Sequence, residues 1–347
     1  MKACVYTQYG PPEVLQLVEV PKPTLRDHQV LVKIHATTVT IGDTIMRSFK
    51  LPNITGWQKF MARLILGWNK PRHHILGMEL AGEIASVGRK VTRFKPGDAV
   101  FASTYDVNFG GYAEYKCLPE KGVMAIKPAN LTYEEAAAIP GGGQTAWHCL
   151  LKGKIRPGQK VLIYGASGAV GTFAVQLASR HFMADVVGVC SGANVDLVKS
   201  LGARQVIDYT RQDFTQSGES YDVIFDAVGK LSLAQCKKAL KPGGVYINVH
   251  ADSNGGEKVE YMLVLKGLIE AGVIKPVIDR VYPFDQIVEA HRYVEQGHKK
   301  GNVAITMGIS HKPNTAAPRP KLGAADPSKY RRVGQIVRHW LWHEIPK

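Results

Sequence analysis

Long apolar runs are missing from this sequence. The longest, Val161–Gly165 and Val186–Cys190, have the length of strands and are too short to cross a bilayer as helices. Cysteine is scarce: five in 347 residues, at positions 4, 117, 149, 190 and 236. A scattered, odd set argues against a disulfide framework and suits free thiols in a reducing compartment. Acidic residues are also short, 29 against 44 Lys and Arg, for a formal charge of +15. No signal peptide or Arg/Ser-rich transit segment is evident ahead of Ala3-Cys4-Val5-Tyr6. The expected location is therefore cytoplasmic, although the basicity would also suit a mitochondrial protein. At 45% hydrophobic and 21% charged, the chain is not disordered and can bury a large core.

The charge is unevenly placed. Residues 308–347 hold eight Lys/Arg and two Asp/Glu, or +6, leaving +9 for the body. Such a balance suits a soluble enzyme with an anionic cofactor and a basic tail. It also leaves room for an anionic membrane or an acidic partner; nucleic acid would rest on net charge alone and is not expected.

Residues up to about 125 are rich in β-branched residues with Gly and Pro turns, as in Val30–Ile34, Glu83–Val87 and Asp98–Phe101. That pattern predicts an all-β lobe. Within it, Trp57, Phe60, Met61, Leu64 and Ile65 recur at helical spacing and predict a helical insertion, its aromatic stripe read as core or as the wall of an apolar pocket. From about 130 the rhythm changes. Thr132 and Glu135 predict a capping box. Strands are then expected at Lys160–Gly165, Asp185–Cys190, Gln205–Tyr209, Asp222–Val228 and Gly244–Val249, alternating with helices at Phe173–Arg180, Val195–Leu201 and Leu233–Leu240. Alternation of this kind specifies a parallel sheet covered on both faces.

The strongest chemical signal is the run Gly165-Ala166-Ser167-Gly168-Ala169-Val170-Gly171 between the first of these strands and a helix. Glycines let the backbone turn tightly and approach a diphosphate, and the helix tip offers unpaired N–H groups and a positive dipole end. The second strand ends in Cys190-Ser191-Gly192-Ala193-Asn194, with no carboxylate until Asp196. An acidic residue there would repel a ribose 2′-phosphate. Its absence favours NADPH over NADH.

Several motifs in this order resemble the medium-chain dehydrogenase/reductase superfamily, in its quinone oxidoreductase and enone reductase branch. They are Gly77-Met78-Glu79-Leu80-Ala81-Gly82, Phe94–Phe101, Gly110–Tyr115, the Gly165–Gly171 loop, and Gly202-Ala203 ahead of Val206-Ile207-Asp208-Tyr209. The resemblance implies an α/β chain with a GroES-like β-barrel lobe over 1–128 and a doubly wound Rossmann domain over 129–256. Residues 257–308 would return to the lobe and 309–347 form a basic tail. It implies NADPH held by Gly165, Ala166, Ser167, Gly168, Ala169, Val170 and Gly171, with Ser191, Asn194 and Tyr209 at the 2′-phosphate. Thr145, Asp226, Ala227, Val228, Val249 and His250 would lie near the nicotinamide and its ribose. Zinc-dependent members use a Cys near Gly42 and a His where Met78 stands; a thioether is a poor zinc donor, so no zinc is expected. The pair His73-His74 reads as packing or capping residues. The implied reaction is hydride transfer to a quinone or an α,β-unsaturated carbonyl. Thr40 and Arg47 lie in the segment matching the active-site turn, where relatives often carry Asn and Tyr in place of Thr40 and Ile45.

Between the fifth strand and the helix at Glu257–Ala271 only His250–Gly256 intervene. Relatives hold a sixth strand there, so a deletion of roughly 25–30 residues is inferred, and with it loss of the usual dimer edge. Tyr330–Trp342 has the spacing of a basic amphipathic helix, so residues 330–347 are expected to dock on the chain itself, a protein complex or a membrane surface. A second reading stays open: a nucleotide-binding accessory subunit with little turnover.

Overall fold

The computed structural model describes residues 1–51 and 56–308. The tail from 309 onward, with its expected docking helix, lies outside the described residues.

The first part of the chain is β-rich. Strands β1 (Lys2–Val5) and β2 (Gln16–Glu19) pair antiparallel, and β3 (Gln29–Thr38) leads to helix α1 (Ile41–Ser48). Helix α2 (Gly56–Leu66) is the predicted insertion. Strands β4 (Glu79–Val87), β5 (Ala99–Ser103), β6 (Tyr115–Pro119) and β7 (Met124–Ile126) follow, and Val, Ile and Leu alternate inward to fill the lobe. Helix α3 (Tyr133–Ala137) carries the expected capping box: Glu135 N donates to Thr132 Oγ1 at 3.2 Å, and Thr132 N to the Glu135 carboxylate at 3.1 Å. One turn of π-helix, Ile139–Gly143, then runs into α4 (Gln144–Lys152).

The alternating section comes next: β8 (Lys160–Tyr164), α5 (Ala169–Gln176), β9 (Asp185–Cys190), α6 (Val195–Ser200), β10 (Gln205–Asp208), β11 (Tyr221–Asp226), α7 (Leu233–Ala239), β12 (Leu240–Asn248) and the short α8 (Val249–Asp252). Its five strands form one parallel sheet in the order β10-β9-β8-β11-β12. The order reverses beside β8, and ligands of such sheets bind in the crevice that opens at the strands' C-terminal ends there. Helix α9 (Val259–Glu270) follows. Strand β13 (Ile278–Pro283), helix α10 (Ile287–Glu295) and β14 (Asn302–Thr306) return to the first lobe, where β14 pairs with β3. The larger sheet runs β13-β14-β3-β4-β5-β7, with β6 also on β3.

As the short link predicted, β12 has no neighbour beyond β11 among the described residues. Lys241 and Pro242 stand on this edge strand, and a proline cannot donate to an incoming ladder. The shortened link instead crosses to neighbouring elements. Ser103 Oγ donates to Glu257, and Lys258 N donates to Gln144 Oε1 at 2.8 Å. Among the described residues no helix is long and apolar enough to cross a membrane.

Candidate functional site

Strand β8 delivers the chain to Gly165, whose φ of 79° is open to glycine and strained for other residues. The turn is pinned where the N–H groups of Gly165 and Ala166 both donate to the Val189 carbonyl at 3.0 Å. A Cβ on Gly171 would stand 2.1 Å from the Gly165 carbonyl, so only glycine lets α5 start this close to the strand. Gly168 is the N-cap of α5 and has no side chain to satisfy the first-turn N–H groups, which leaves them for an anion.

Asn194 gathers the next part of the site. Its amide donates to Ser167 Oγ at 3.1 Å and to Ser191 Oγ at 3.2 Å, tying the glycine loop to the end of β9. Its own Oδ1 is buried without a hydrogen-bond partner. Tyr209 stands half exposed nearby, with its N–H on the Cys190 carbonyl. One carboxylate was not anticipated here. Asp208 pairs in register with Cys190, and its side chain lies against Gly192. Thr210 holds it at 2.8 and 3.0 Å and Arg211 at 3.8 Å, and the Thr210 bonds foremost keep its carboxyl below the usual range.

Across β11 the expected ribose end has two parts. Asp226 is buried and organises its own loop, accepting from the N–H groups of Val228, Gly229 and Leu231. Its carboxylate is thus engaged by the loop that follows the strand. Ala227 N donates to the Tyr164 carbonyl, and Val228 presses on the Gly165 turn. His250 is exposed, with Nε2 3.1 Å from the Val228 carbonyl, while Val249 is buried. Val228 and His250 are thus brought together beside the phosphate loop. Thr145 is half-buried in the first turn of α4. The glycines ahead of it are explained by crowding: Gly142 would place a Cβ 3.0 Å from the Ala169 carbonyl at the tip of α5.

The first lobe reaches the same loop. Gly301 N donates to the Ser167 carbonyl at 2.8 Å, just ahead of β14. Lys299, two residues earlier, donates to the Gly301 carbonyl, and burial lowers its ammonium to about 8 against the pull of Glu79 and Asp279. Sequence reasoning missed Lys299; two lysines before the glycine that opens the last strand were the available signal. Glu79 is fully buried, accepts from Gly141 N at 2.6 Å and from Thr38 Oγ1, and burial raises it to about 7.

The expected catalytic pair separates. Thr40 is half-buried and caps α1: Asp43 N donates to its Oγ1 at 3.0 Å, and that hydroxyl donates to Asp43 Oδ2 at 2.6 Å. Asp43 also accepts from Gly77 N at 3.0 Å, yet burial lifts it to about 6. Arg47 is fully buried and ion-paired with Glu295 of α10. A guanidinium enclosed in this way does not face a substrate oxygen.

At the place where zinc-dependent proteins of this architecture would need donors, Met78 Sδ lies 3.6 Å from Thr40 Oγ1, beside Gly42. A thioether, a hydroxyl already spent on a carboxylate and a glycine do not fit a zinc ion. Of the paired histidines, His73 lies edge-on to the Phe109 ring and His74 Nδ1 is 3.3 Å from the Tyr6 carbonyl.

A β lobe joined to a parallel five-stranded sheet with a glycine-rich turn at a helix tip defines a two-lobed nucleotide-dependent oxidoreductase architecture. Residues 26–128 match the alcohol dehydrogenase GroES-like domain, and residues 169–274 and 259–305 match zinc-binding dehydrogenase. The chain is 34% identical over 326 residues to 2-methylene-furan-3-one reductase of Solanum lycopersicum, covering 88% of this chain and 79% of that one. It is 31% identical, with the same coverage, to the chloroplastic NADPH-dependent alkenal/one oxidoreductase of Arabidopsis thaliana. Its fold superposes on the quinone oxidoreductase from Coxiella burnetii with a TM-score of 0.77 at 27% identity, covering 89% of this chain and 99% of that one. The chain belongs to the medium-chain dehydrogenase/reductase family.

Proposed function

We propose that this chain is an NADPH-dependent reductase of quinones or α,β-unsaturated carbonyls that works without zinc. The observation that carries the reading is the Asn194 amide joined to both Ser167 and Ser191. It sets neutral donors and hydroxyls between the diphosphate turn and the end of β9, where a 2′-phosphate would rest. Asp208 is the one feature that opposes this choice, and its hydrogen bonds to Thr210 and its ion pair with Arg211 offset part of its charge.

In this reading the first turn of α5, from Ala169 to Gly171, cradles the diphosphate together with the backbone of Gly165–Gly168, and Lys299 adds a cation from the opposite lobe. Ser191 and Tyr209 hold the 2′-phosphate, with Arg211 at its edge; Asn194, whose amide hydrogens go to Ser167 and Ser191, positions those hydroxyls to donate to it. Thr145, Ala227, Val228, Val249 and His250 border the nicotinamide and its ribose. The chemistry such a cofactor supplies when bound is hydride donation to an electron-poor carbon. The chain's own residues orient the substrate and exclude water. Thr40 already gives its only hydroxyl proton to Asp43, so we assign the one proton that completes the reduction after hydride transfer to solvent, with Thr40 Oγ1 as a positioning group.

The domain limits 1–128, 129–256 and 257–308 are proposed on the sheet that each segment enters. The open β12 edge supports a chain that does not form the two-fold dimer through a sixth strand; sedimentation velocity reads this, and a dimer that survives in dilute solution but is lost on disrupting β12 contradicts it.

The test of function is NADPH oxidation by the purified chain with a small quinone and a small enone. Turnover with either acceptor supports the reductase. Tight NADPH binding without turnover on any member of a quinone and enone panel moves the chain to the accessory-subunit reading instead.

A further inference from the structure

Helix α2 has its faces reversed relative to a helix packed on a core. None of its residues is buried. Trp57 is 70% exposed, Ile65 62% and Trp68, just past the helix, 52%, with Phe60, Met61 and Leu64 also exposed. The rings of Trp57 and Phe60 stack at 5.4 Å, and Trp68 meets Phe60 edge-on at 5.6 Å, so these side chains form one patch. What holds the helix to the body is polar and aromatic. The Arg63 guanidinium lies over the Phe49 ring at 4.5 Å, and Tyr9 Oη donates to the Leu66 carbonyl at 2.9 Å. The expected core stripe is therefore a surface, because the side of the helix that faces the protein is the one carrying Arg63.

The charge around this patch has one sign. No Asp or Glu occurs between Asp43 and Glu79, whereas Lys50, Lys59, Arg63, Lys70 and Arg72 all do. A second copy of the chain would bring the same cations against these, and the +6 tail would do so too. An anionic bilayer complements both features. Tryptophans settle at the headgroup level, aliphatic side chains enter the acyl boundary, and lysines and arginines engage acidic lipids.

We propose that α2 and Trp68 dock the protein on the surface of an anionic membrane. The helix is rooted between α1 and β4, the two elements that carry Thr40 and Glu79, so docking would set the substrate lobe against the lipid. An apolar acceptor dissolved in the bilayer could then enter without crossing water.

The test is flotation of the full chain with vesicles of phosphatidylcholine alone and of phosphatidylcholine with a minor share of phosphatidylglycerol. The wild type is expected to float with the anionic vesicles and weakly with the neutral ones, less as salt rises. The double variant Trp57→Ser/Ile65→Ser should bind anionic vesicles roughly tenfold or more weakly, since it removes two of the inserted side chains. Both side chains are exposed, so dinucleotide affinity should be unchanged, which checks the fold. The proposal is overturned if the wild type does not float, if it prefers neither vesicle, or if the double variant floats as well as the wild type. It is also overturned if the substitutions turn a dimer into a monomer, since the patch would then be covered by a second copy.

Discussion

The backbone N–H of Gly301 meets the carbonyl of Ser167 at 2.8 Å, so the segment entering the last strand of the substrate lobe rests directly on the phosphate turn. This contact brings the Lys299 segment beside the turn proposed to hold the cofactor. The Lys299 ammonium donates to the Gly301 carbonyl. Lys299→Met is expected to weaken NADPH and NADH by a similar factor, on the order of three- to tenfold, because the diphosphate is common to both. Its free ammonium titrates at about 8, so wild-type affinity should fall as pH rises through that value, and the variant should lose this dependence. Isothermal titration at several pH values measures both effects.

Cofactor preference rests on a different contact. Ser191→Asp places a carboxylate where the proposed 2′-phosphate lies, beside Asn194 and close to Asp208. NADPH affinity should fall at least roughly tenfold while NADH affinity holds or rises, through like-charge repulsion and a new acceptor for the ribose hydroxyl. Equal loss of both would place the 2′-phosphate elsewhere.

Glu79 gives a stability prediction with a definite sign. Burial raises its folded-state value from 4.5 to about 7, so between those values the folded protein holds the proton more tightly than the unfolded chain does. Its contribution is fully present below pH 4.5 and is lost as pH rises toward 7, a decline of up to roughly 3 kcal/mol. Glu79→Gln keeps the acceptor for Gly141 N and removes the titration. Chemical denaturation from pH 5 to 8 should show a shallower fall of stability in the variant than in the wild type. Identical slopes would mean that the carboxyl titrates normally.

The parts of the site that were legible in the sequence are the local ones. The Gly165–Gly171 turn, the Thr132–Glu135 box and most strand limits follow from residues within a few positions of one another, where turn chemistry and periodicity act. How individual side chains are engaged in the fold was not legible in the same way. Arg47 looked like a group at an active-site turn, but Glu295, far along the chain, draws it inside. Asp226 looked like a ribose neighbour, yet three N–H groups of the loop after it use its carboxylate. Asp208 sat in plain view at the end of its strand, and aligning the ends of the parallel strands would have set it level with Cys190, next to Ser191. The Trp57–Ile65 stripe has a correct helical period, but a period alone does not say which side of a helix meets the protein.

The central claim is that a backbone nest at the tip of α5 grips a nicotinamide dinucleotide with no metal at the site. One experiment reads it most directly: NADPH titration of the purified chain and of Gly171→Val, with zinc content determined on the same wild-type sample. The claim predicts binding by the wild type, no measurable binding by the variant, whose added side chain would press on the Gly165 carbonyl, and zinc far below one equivalent. Wild-type protein that binds neither NADPH nor NADH, or that carries one zinc per chain, contradicts it.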